Sequence, residues 1–388
     1  MLRRGEEVGP VGSVDRGAAL QLPVMLADLK ELVRCESFSG DHAAVARSAE
    51  VVGAVGTRLL GAEPETIVID GVTHLRWAFG TPRVLLVGHH DTVWPIGSLR
   101  SRPWSVAGGI ARGPGVLDMK AGLVQMFHAL ASLPSPDGVC ILVNGDEEVG
   151  SPTSRHLIEE TARGCVAAFV LEAAADATGA LKTARKGTSR YEVVVHGRAA
   201  HAGQEPHKGI NAAVEAAHQV LALAGIGAVA GAAHPLLGAA TVTPTLLSAG
   251  SACNTVPATA RVSVDVRVPT AAAQDRIDGL VRELIPRTPG ARLEILGGPG
   301  RPPMEPESSA DLFALASRVA SELGQAPLSA AAVGGASDGN HTAASGCPTL
   351  DGLGAVGDGA HADTEYVEVA QMVPRARLLA ELMRRTLR

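Results

Sequence analysis

The stretch RVLLVGHHDTV, residues 83–93, carries an uninterrupted apolar segment directly into two histidines and an aspartate. A continuous apolar run of this length is typical of a strand that helices cover on both faces. Two later stretches repeat the pattern, at 139–146 and 165–173, and helical periodicity lies between the first two stretches at about 120–132. This alternation predicts an α/β fold with a mostly parallel sheet and helices on both faces.

The pattern changes in the middle of the chain, where three segments alternate apolar and polar residues: TSRYEVVVHGRA (188–199), AATVTPTLLSAG (239–250) and ARVSVDVRV (260–268). Such alternation indicates antiparallel strands with one wet face. A Gly/Pro-rich hinge, GGPGRPPM (297–304), then returns the chain to the first pattern. We therefore predict one α/β domain of residues 1–187 and 299–388, interrupted by an inserted α+β domain of residues 188–298.

Composition narrows the possible partners. The 388 residues carry a net charge of −6 and no Lys/Arg-rich block, so we expect no nucleic-acid partner. No apolar run reaches the roughly 18–20 residues of a membrane span, and the first twenty residues lack the apolar core of a signal peptide. The five cysteines are scattered without a CxxC pair, which favours reduced thiols and a cytoplasmic location.

Polar side chains gather where the predicted strands and loops end, which is where open α/β sheets bind ligands. These positions supply histidine or carboxylate and no cysteine: His89, His90, Asp91, Asp118, Asp146, Glu147, Glu148, Glu172 and His361. Any one of them is more often an ordinary structural residue. Together they suit a catalytic zinc or a similar divalent ion, and more than four ligands suggest two ions that share a carboxylate.

Six motifs occur in order along the chain: LLVGHHDTVWP, RGPGVLDMKAG, DEEVGSPTSR, VLEAA, GRAAHAG and GDGAHADTEYV. Together they resemble the dinuclear-zinc metallopeptidase and amidohydrolase family. That family includes glutamate carboxypeptidase of the carboxypeptidase G type, acetylornithine deacetylase, succinyl-diaminopimelate desuccinylase and aminoacylase. The resemblance covers roughly residues 20–385. A single His-x-Asp motif is weak, whereas six motifs in the right order are specific.

The resemblance implies a set of metal ligands. His89 and Glu172 would hold one zinc ion, Glu148 and His361 would hold the other, and Asp118 would bridge them. Cobalt or manganese would suit the same ligands. Positions 121 and 173 are alanine where relatives often have glycine and proline, but neither change removes a ligand.

The resemblance also implies roles for residues beside the metals. Asp91 would fix the tautomer of His89 from behind. Glu147 would be the general base that takes a proton from the attacking water and later passes it to the leaving amine. For Asp146 we expect a solvated or backbone-capping role, and for Arg185 and Lys186 a solvated surface position.

The inserted domain resembles the lid and dimerisation domain of these enzymes. His201 in GRAAHAG would reach the active site of a partner subunit, which predicts a homodimer. Asn254 and Arg267 would grip the free carboxylate of the substrate, because the planar fork of arginine matches a carboxylate. Ser337, in the Gly-rich stretch GGASDGN, would contact the substrate carboxylate or backbone.

The predicted activity is zinc-dependent hydrolysis of an amide bond next to a free carboxylate, releasing a C-terminal amino acid from a peptide or an N-acyl amino acid. Deacetylation or desuccinylation of N-acyl amino acids is the alternative within the family. A serine hydrolase is the main rival, since residues 335–339 read G-x-S-x-G and Asp358 and His361 follow Ser337. Nucleotide binding by residues 112–122 and a non-catalytic zinc protein are weaker rivals, because the glycine spacing fits no phosphate loop and Glu147 is retained.

Overall fold

The computed structural model describes residues 20–229 and 231–388. The α-helices in that part of the chain are α1 (Leu22–Arg34), α2 (His42–Leu60), α3 (Ala121–Ala131), α4 (Arg155–Ala162), α5 (Ala212–Val229), α6 (Ala271–Arg282), α7 (Ala310–Glu322), α8 (Gly339–Ala344) and α9 (Met372–Thr386). The β-strands are β1 (Glu65–Ile69), β2 (Val72–Ala78), β3 (Val84–His89), β4 (Ser105–Ala107), β5 (Ile110–Arg112), β6 (Val139–Asn144), β7 (Ala167–Val170), β8 (Leu181–Arg185), β9 (Gly187–His196), β10 (Thr241–Ala249), β11 (Thr259–Val268), β12 (Arg292–Pro299), β13 (Ala330–Val333), β14 (Thr349–Leu350), β15 (Gly357–Asp358) and β16 (Tyr366–Glu368).

The main sheet has six strands in the order β1-β2-β6-β3-β7-β14. Strands β6, β3, β7 and β14 run parallel to one another, while β1 and β2 add an antiparallel edge. Helices lie on both faces, so the predicted α/β class is confirmed. Sequence periodicity missed β2, although Asp70 and Gly71 between β1 and β2 both have positive φ, as an Asp-Gly hairpin turn requires.

Strand β3 shows why residues 84–87 are all apolar. All six residues of the strand are buried. Val84 and Leu86 face the core beneath α1, α2, α3 and α9, while Leu85 and Val87 face the smaller core beneath α4. Because successive side chains of a strand point to opposite faces, a strand between two helical layers needs an apolar residue at every position.

A second sheet, in the order β10-β11-β9-β12, is antiparallel throughout. One face packs on α5 and α6 around its own core, in which Tyr191 and Val193 of β9 meet Ile277 of α6. The separate core supports an inserted unit. The domain boundaries 187/188 and 298/299 stay a prediction, and residues 1–19 lie outside the described part of the chain.

No helix in residues 20–229 and 231–388 combines the length and apolar character that crossing a membrane requires. The predicted absence of a signal peptide falls on residues outside that part. The cytoplasmic location therefore stays a prediction from the cysteine pattern.

Candidate active site

Three adjacent parallel strands deliver acidic and imidazole side chains to one edge of the main sheet. His89 is the last residue of β3, Glu147 and Glu148 follow β6, and Glu172 follows β7. The strands lie in the order β6-β3-β7, so their carboxyl ends meet at this edge. The clustering predicted from strand ends is therefore present in the structure.

Two loops complete the cluster from a small sheet in the order β15-β16-β5-β4. Asp118 lies in the turn after β5, and His361 lies between β15 and β16. His361 has a φ of 63°, an uncommon conformation for a residue with a side chain.

Asp118 lies at the centre of the cluster. Its Oδ1 is 3.1 Å from His89 Nε2, and its Oδ2 is 3.3 Å from His361 Nε2. On one side His89 Nε2 is 3.4 Å from Glu172 Oε1. On the other side His361 Nε2 is 3.1 Å from Glu148 Oε2. Two histidine–carboxylate pairs thus share one carboxylate between them.

The donor set fits divalent metal ions. Imidazole nitrogens and carboxylate oxygens approach closely enough to surround an ion in two overlapping groups: His89 with Asp118 and Glu148, and His89 with Glu147 and Glu172. Glu148 Oε1 is buried without a hydrogen-bond partner, which is costly for a carboxylate unless a cation approaches it. These distances alone do not separate Glu147 from the ligands, so the assignment of roles rests on its other contacts.

Burial makes the charge state of these acids depend on their neighbours. Desolvation raises the pKa of Glu147 well above its ordinary value and that of Glu148 to about 7. Hydrogen bonds to Asp118 and Glu148 raise the pKa of His361 to about 10. Burial alone would lower the pKa of His89, but hydrogen bonds to its carboxylate neighbours raise it instead. A cation among these acids would stabilise their charged forms, which burial alone disfavours.

Asp91 organises the turn that follows β6. Its Oδ1 accepts from the Glu147 amide and its Oδ2 from the Glu148 amide, both at 3.2 Å. Ser39 Oγ donates to Oδ2 at 2.7 Å, while Oδ1 lies 3.4 Å from His89 Nδ1. The backbone carbonyl oxygen of Asp91 lies 3.0 Å from His89 Nδ1, so Asp91 orients the His89 ring through both its carbonyl and its carboxylate. The same buried carboxylate holds the amides of both glutamates, which explains how two consecutive acids converge on one site.

Asp146 has a capping role and is not solvated. Its carboxylate is buried and accepts from the backbone amide and hydroxyl of Thr153 and of Ser154. It thereby satisfies free amides where α4 begins.

Arg301 is a site residue that the sequence pattern did not reveal. Its guanidinium lies 2.8 Å from Glu147 Oε1 and also donates to the Glu147 carbonyl oxygen at 2.8 Å. The same nitrogen reaches Asp338 at 3.2 Å. The short distance distinguishes Glu147 from Glu172, which lies 3.8 Å from Arg185, because a carboxylate oxygen paired closely with arginine is less available to a metal. The one signal in the sequence was a charge within the Gly/Pro-rich hinge.

Glu365 is a second residue that sequence reasoning missed. Its buried carboxylate accepts from the backbone amides of Gly115, Leu117 and Asp118 and from Trp94 Nε1. These bonds hold the Asp118 turn against the loop that carries His361. No local sequence pattern predicts these hydrogen bonds, because the partners are about 250 residues apart.

Ser337 does not take the position expected of it. Its side chain is 1% exposed, and its Oγ donates to Asp351 at 2.6 Å. The preceding Gly335 and Ala336 line the cavity instead. The serine-hydrolase alternative has no geometric support, since His361 lies against Asp118 and Glu148 and not against Ser337.

Arg185 is buried, which corrects the expected surface position. It donates to Asp351 at 2.7 Å and to the Gly335 carbonyl oxygen at 3.0 Å, and it lies 3.8 Å from Glu172 Oε2. It thus connects a candidate ligand to the loop that lines the cavity. Lys186 is half-buried and donates to the Ala239 carbonyl oxygen.

The substrate-binding residues predicted in the insert lie far apart in one chain. Arg267 pairs with Thr188 at one end of β11, while Thr259 at the other end pairs with His196. The strand spans roughly 27 Å between Thr259 and Arg267. Asn254 comes before Thr259 in the chain and so lies at the end away from Arg267. Asn254 and Arg267 therefore do not grip the same carboxylate within one chain, contrary to the simplest form of the expectation.

His201 lies beside Asn254 at the distant end, paired with Thr255 in an isolated bridge. Its Nδ1 accepts from the amides of Gly203 and Gln204, and the side chain is exposed. It has no contact with the acidic cluster of its own chain among the described residues.

The acidic cluster opens into a cavity of about 440 Å³ between the main sheet and the insert. The acids of the main-sheet edge and two arginines of the antiparallel sheet, Arg190 and Arg267, line it together with Arg301 beside Glu147. The lining residues are Asp118, Glu147, Glu148, Val149, Gly150, Glu172, Thr188, Arg190, Arg267, Gly298, Gly300, Arg301, Gly335, Ala336 and His361.

Comparison with known proteins agrees with this arrangement. Carboxypeptidase G2 of Pseudomonas sp. strain RS-16 is 30% identical over 387 residues, which cover 95% of this chain and 90% of the relative. Succinyl-diaminopimelate desuccinylase of Acidiphilium cryptum is 27% identical over 380 residues, covering 94% and 99%. The solved structure of an M20 family metallo-carboxypeptidase from Sulfolobus solfataricus superimposes with a TM-score of 0.76 at 16% identity, covering 93% of this chain and 99% of the other.

The sequence model of peptidase family M20/M25/M40 matches residues 85–385. This match covers most of the chain and includes every residue of the acidic cluster. The chain therefore belongs to peptidase family M20/M25/M40 and is a metallohydrolase of that family.

Proposed function

We propose that this protein uses two divalent metal ions to hydrolyse an amide bond next to a free carboxylate. The product would be a C-terminal amino acid released from a peptide or an N-acyl amino acid. The observation that carries the proposal is the position of Asp118 between two histidine–carboxylate pairs, at the floor of a cavity that arginines also line. The similarity to carboxypeptidase G2 supports the carboxypeptidase form of the activity.

Five side chains would hold the ions: His89 and Glu172 on one side, Glu148 and His361 on the other, and Asp118 between them. Bound ions of this kind supply Lewis acidity, which lowers the pKa of water and stabilises developing negative charge on the scissile carbonyl oxygen. Zinc, cobalt and manganese all suit these ligands.

Glu147 would act as general base. Its carboxylate takes a proton from the attacking water and later gives it to the leaving amine. Arg301 holds one oxygen of this carboxylate, so the other remains free to face the substrate. Burial keeps the Glu147 pKa high, which makes the protonated form accessible when the leaving group needs a proton.

Arg267, which also lines the cavity, would bind the free carboxylate of the substrate. Two of its nitrogens pair with Asp265, at 2.8 and 3.0 Å, and the remaining donors are available to a ligand. Asn254 and His201 would serve the site of a second chain, which requires a homodimer. A solution mass equal to two chains is the corresponding expectation.

The most direct test of this function compares N-acyl amino acids with the same compounds carrying a C-terminal carboxamide. We expect kcat/KM to fall about 10- to 100-fold for the carboxamide, because it loses a charge-assisted pair with arginine. Arg267→Gln should lower kcat/KM for the free acid and leave the value for the carboxamide nearly unchanged.

Equal rates for acid and carboxamide would contradict the proposed recognition of a free carboxylate. The same panel separates the two activities within the family. Dependence of kcat/KM mainly on the acyl group, with little dependence on the amino acid, would favour a deacetylase or desuccinylase of the kind found in Acidiphilium cryptum.

A further inference from the structure

One buried amide side chain joins three segments that are far apart in the sequence. Asn340, near the start of α8, is fully buried and does not line the cavity. Its Oδ1 accepts from the Ser337 amide at 2.9 Å, and its Nδ2 donates to the carbonyl oxygens of Lys186, at 3.2 Å, and Pro302, at 2.7 Å. Because buried polar groups keep their hydrogen-bond partners, these three bonds fix the course of the backbone at each contact.

The two bound carbonyl groups lie in the connecting segments, which lead into and out of the insert: residues 185–188 and 300–304. The connecting segments pair with each other, since Arg185 and Met304 exchange two backbone hydrogen bonds, at 2.9 and 3.0 Å. From the insert side, the buried Gln274 of α6 donates to one carbonyl oxygen of each segment, at 2.9 and 3.3 Å. One buried amide on each side of the junction therefore holds both segments.

Arg267 depends on this junction for its position relative to the acidic cluster. In the register of β9 and β11 it lies directly opposite Thr188, which is two residues beyond Lys186. Among the described residues, its side chain pairs with Asp265 of its own strand and with no other. Arg301 differs, because two acids and a serine hydroxyl hold its guanidinium directly. The backbone of the insert alone therefore sets the position of Arg267.

We propose that Asn340 is a positioning residue, which sets the place of Arg267 relative to the metal ligands by holding both connecting segments against the cavity wall. The wall at this point is Gly335 and Ala336, which precede the Ser337 amide that Asn340 binds. The inference rests on the proposed function, in which Arg267 binds the free carboxylate of the substrate. Asn340 itself does not touch the substrate, so it acts on the reaction through Arg267.

The ratio of kcat/KM for an N-acyl amino acid to kcat/KM for its carboxamide measures how well Arg267 is placed. Asn340→Asp keeps the acceptor for the Ser337 amide and removes both donors to the connecting segments, so that an oxygen faces two carbonyl oxygens. We expect kcat/KM for the free acid to fall about 10-fold or more, mainly through KM, because a misplacement of about 1 Å can cost up to about 100-fold. The value for the carboxamide and the bound metal content should stay nearly unchanged.

Two further variants complete the comparison. Gln274→Leu releases the same connecting segments from the insert side, so it should lower the ratio even if Asn340→Asp does not fold. Gln125→Glu is the matched control, because Gln125 is also a buried amide that donates to a backbone carbonyl oxygen, that of Met372, away from the junction. It should leave the ratio unchanged, whatever its effect on the melting temperature.

Combining Arg267→Gln with Asn340→Asp tests the route of the effect, because the second substitution should then cause no further loss for the free acid. Three results would each overturn the role of Asn340: an unchanged ratio in Asn340→Asp, or in Gln274→Leu if the first variant does not fold; an equal loss with both substrates; or additive losses in the double variant. A wild-type preference for the free acid would in those cases leave the proposed function intact. Absence of that preference, or of any hydrolysis, in the wild-type enzyme would overturn both.

Discussion

Glu147→Gln is expected to lower kcat by about 10²–10⁴-fold while the bound metal content stays unchanged. Glutamine keeps the size of the side chain but cannot accept and return a proton. Glu147 is the acid whose Oε1 is paired with Arg301, while the other acids of the cluster lie nearer the two histidines. Steady-state turnover and metal content measured on the same preparation check both parts of the expectation.

Glu148→Gln supplies the contrast. Glu148 Oε2 lies 3.1 Å from His361 and its Oε1 is buried without a partner, so its loss should weaken metal binding itself. Glu160→Gln, an exposed substitution on α4, should leave both turnover and metal content unchanged. Near wild-type turnover in Glu147→Gln, or loss of metal from that variant, would contradict the assignment of Glu147 as base.

Asp118→Asn is expected to weaken the binding of both metal ions together. Each of the two Asp118 oxygens faces a different histidine, His89 on one side and His361 on the other. An amide nitrogen in place of one oxygen cannot bind a cation, and the loss of charge weakens what remains. We expect metal affinity to fall by more than the roughly 10- to 100-fold that loss of an outer partner of a ligand costs. Calorimetric titration of the metal-free protein measures it.

Asp91→Asn is the matched comparison, because Asp91 orients His89 from its Nδ1 side and should not contact an ion. Its effect on metal affinity should be the smaller of the two. If Asp118→Asn bound one ion with wild-type affinity, or if Asp91→Asn had the larger effect, Asp118 would not be the bridging carboxylate.

The sequence predicts those parts of the fold that have a local pattern of apolar and polar residues. Strand β3 is apolar from Val84 to Val87 because helices cover both faces, and β9 and β11 alternate because one face is wet. The six acidic and histidine residues of the cluster were named from the sequence because they end strands or occupy short motifs: His89, Asp118, Glu147, Glu148, Glu172 and His361. Strand β2 was missed because its sequence, VTHLRWA, is largely buried yet mixes polar and apolar residues, so it shows neither an apolar run nor an alternation, although its Asp-Gly turn was readable.

The parts that did not follow are contacts between distant segments. Arg301 meets Glu147 across 154 residues, and Arg185 meets Asp351 across 166 residues. The hydrogen-bond partners of a buried arginine are brought together only by folding. A local sequence pattern therefore predicts that such an arginine lies on the surface. Ser337 differs, because Asp351, which holds its Oγ, is only 14 residues further along the chain, and no periodic pattern indicates that contact.

The central claim is that two metal ions bound around Asp118 perform the hydrolysis, and titration of the metal-free protein with Zn²⁺ tests it most directly. Bound zinc per chain and the rate of hydrolysis of an N-acyl amino acid are measured on the same samples. The predicted result is no turnover in the metal-free protein and recovery that is complete when two ions are bound per chain. Turnover that persists in the metal-free protein would contradict the claim.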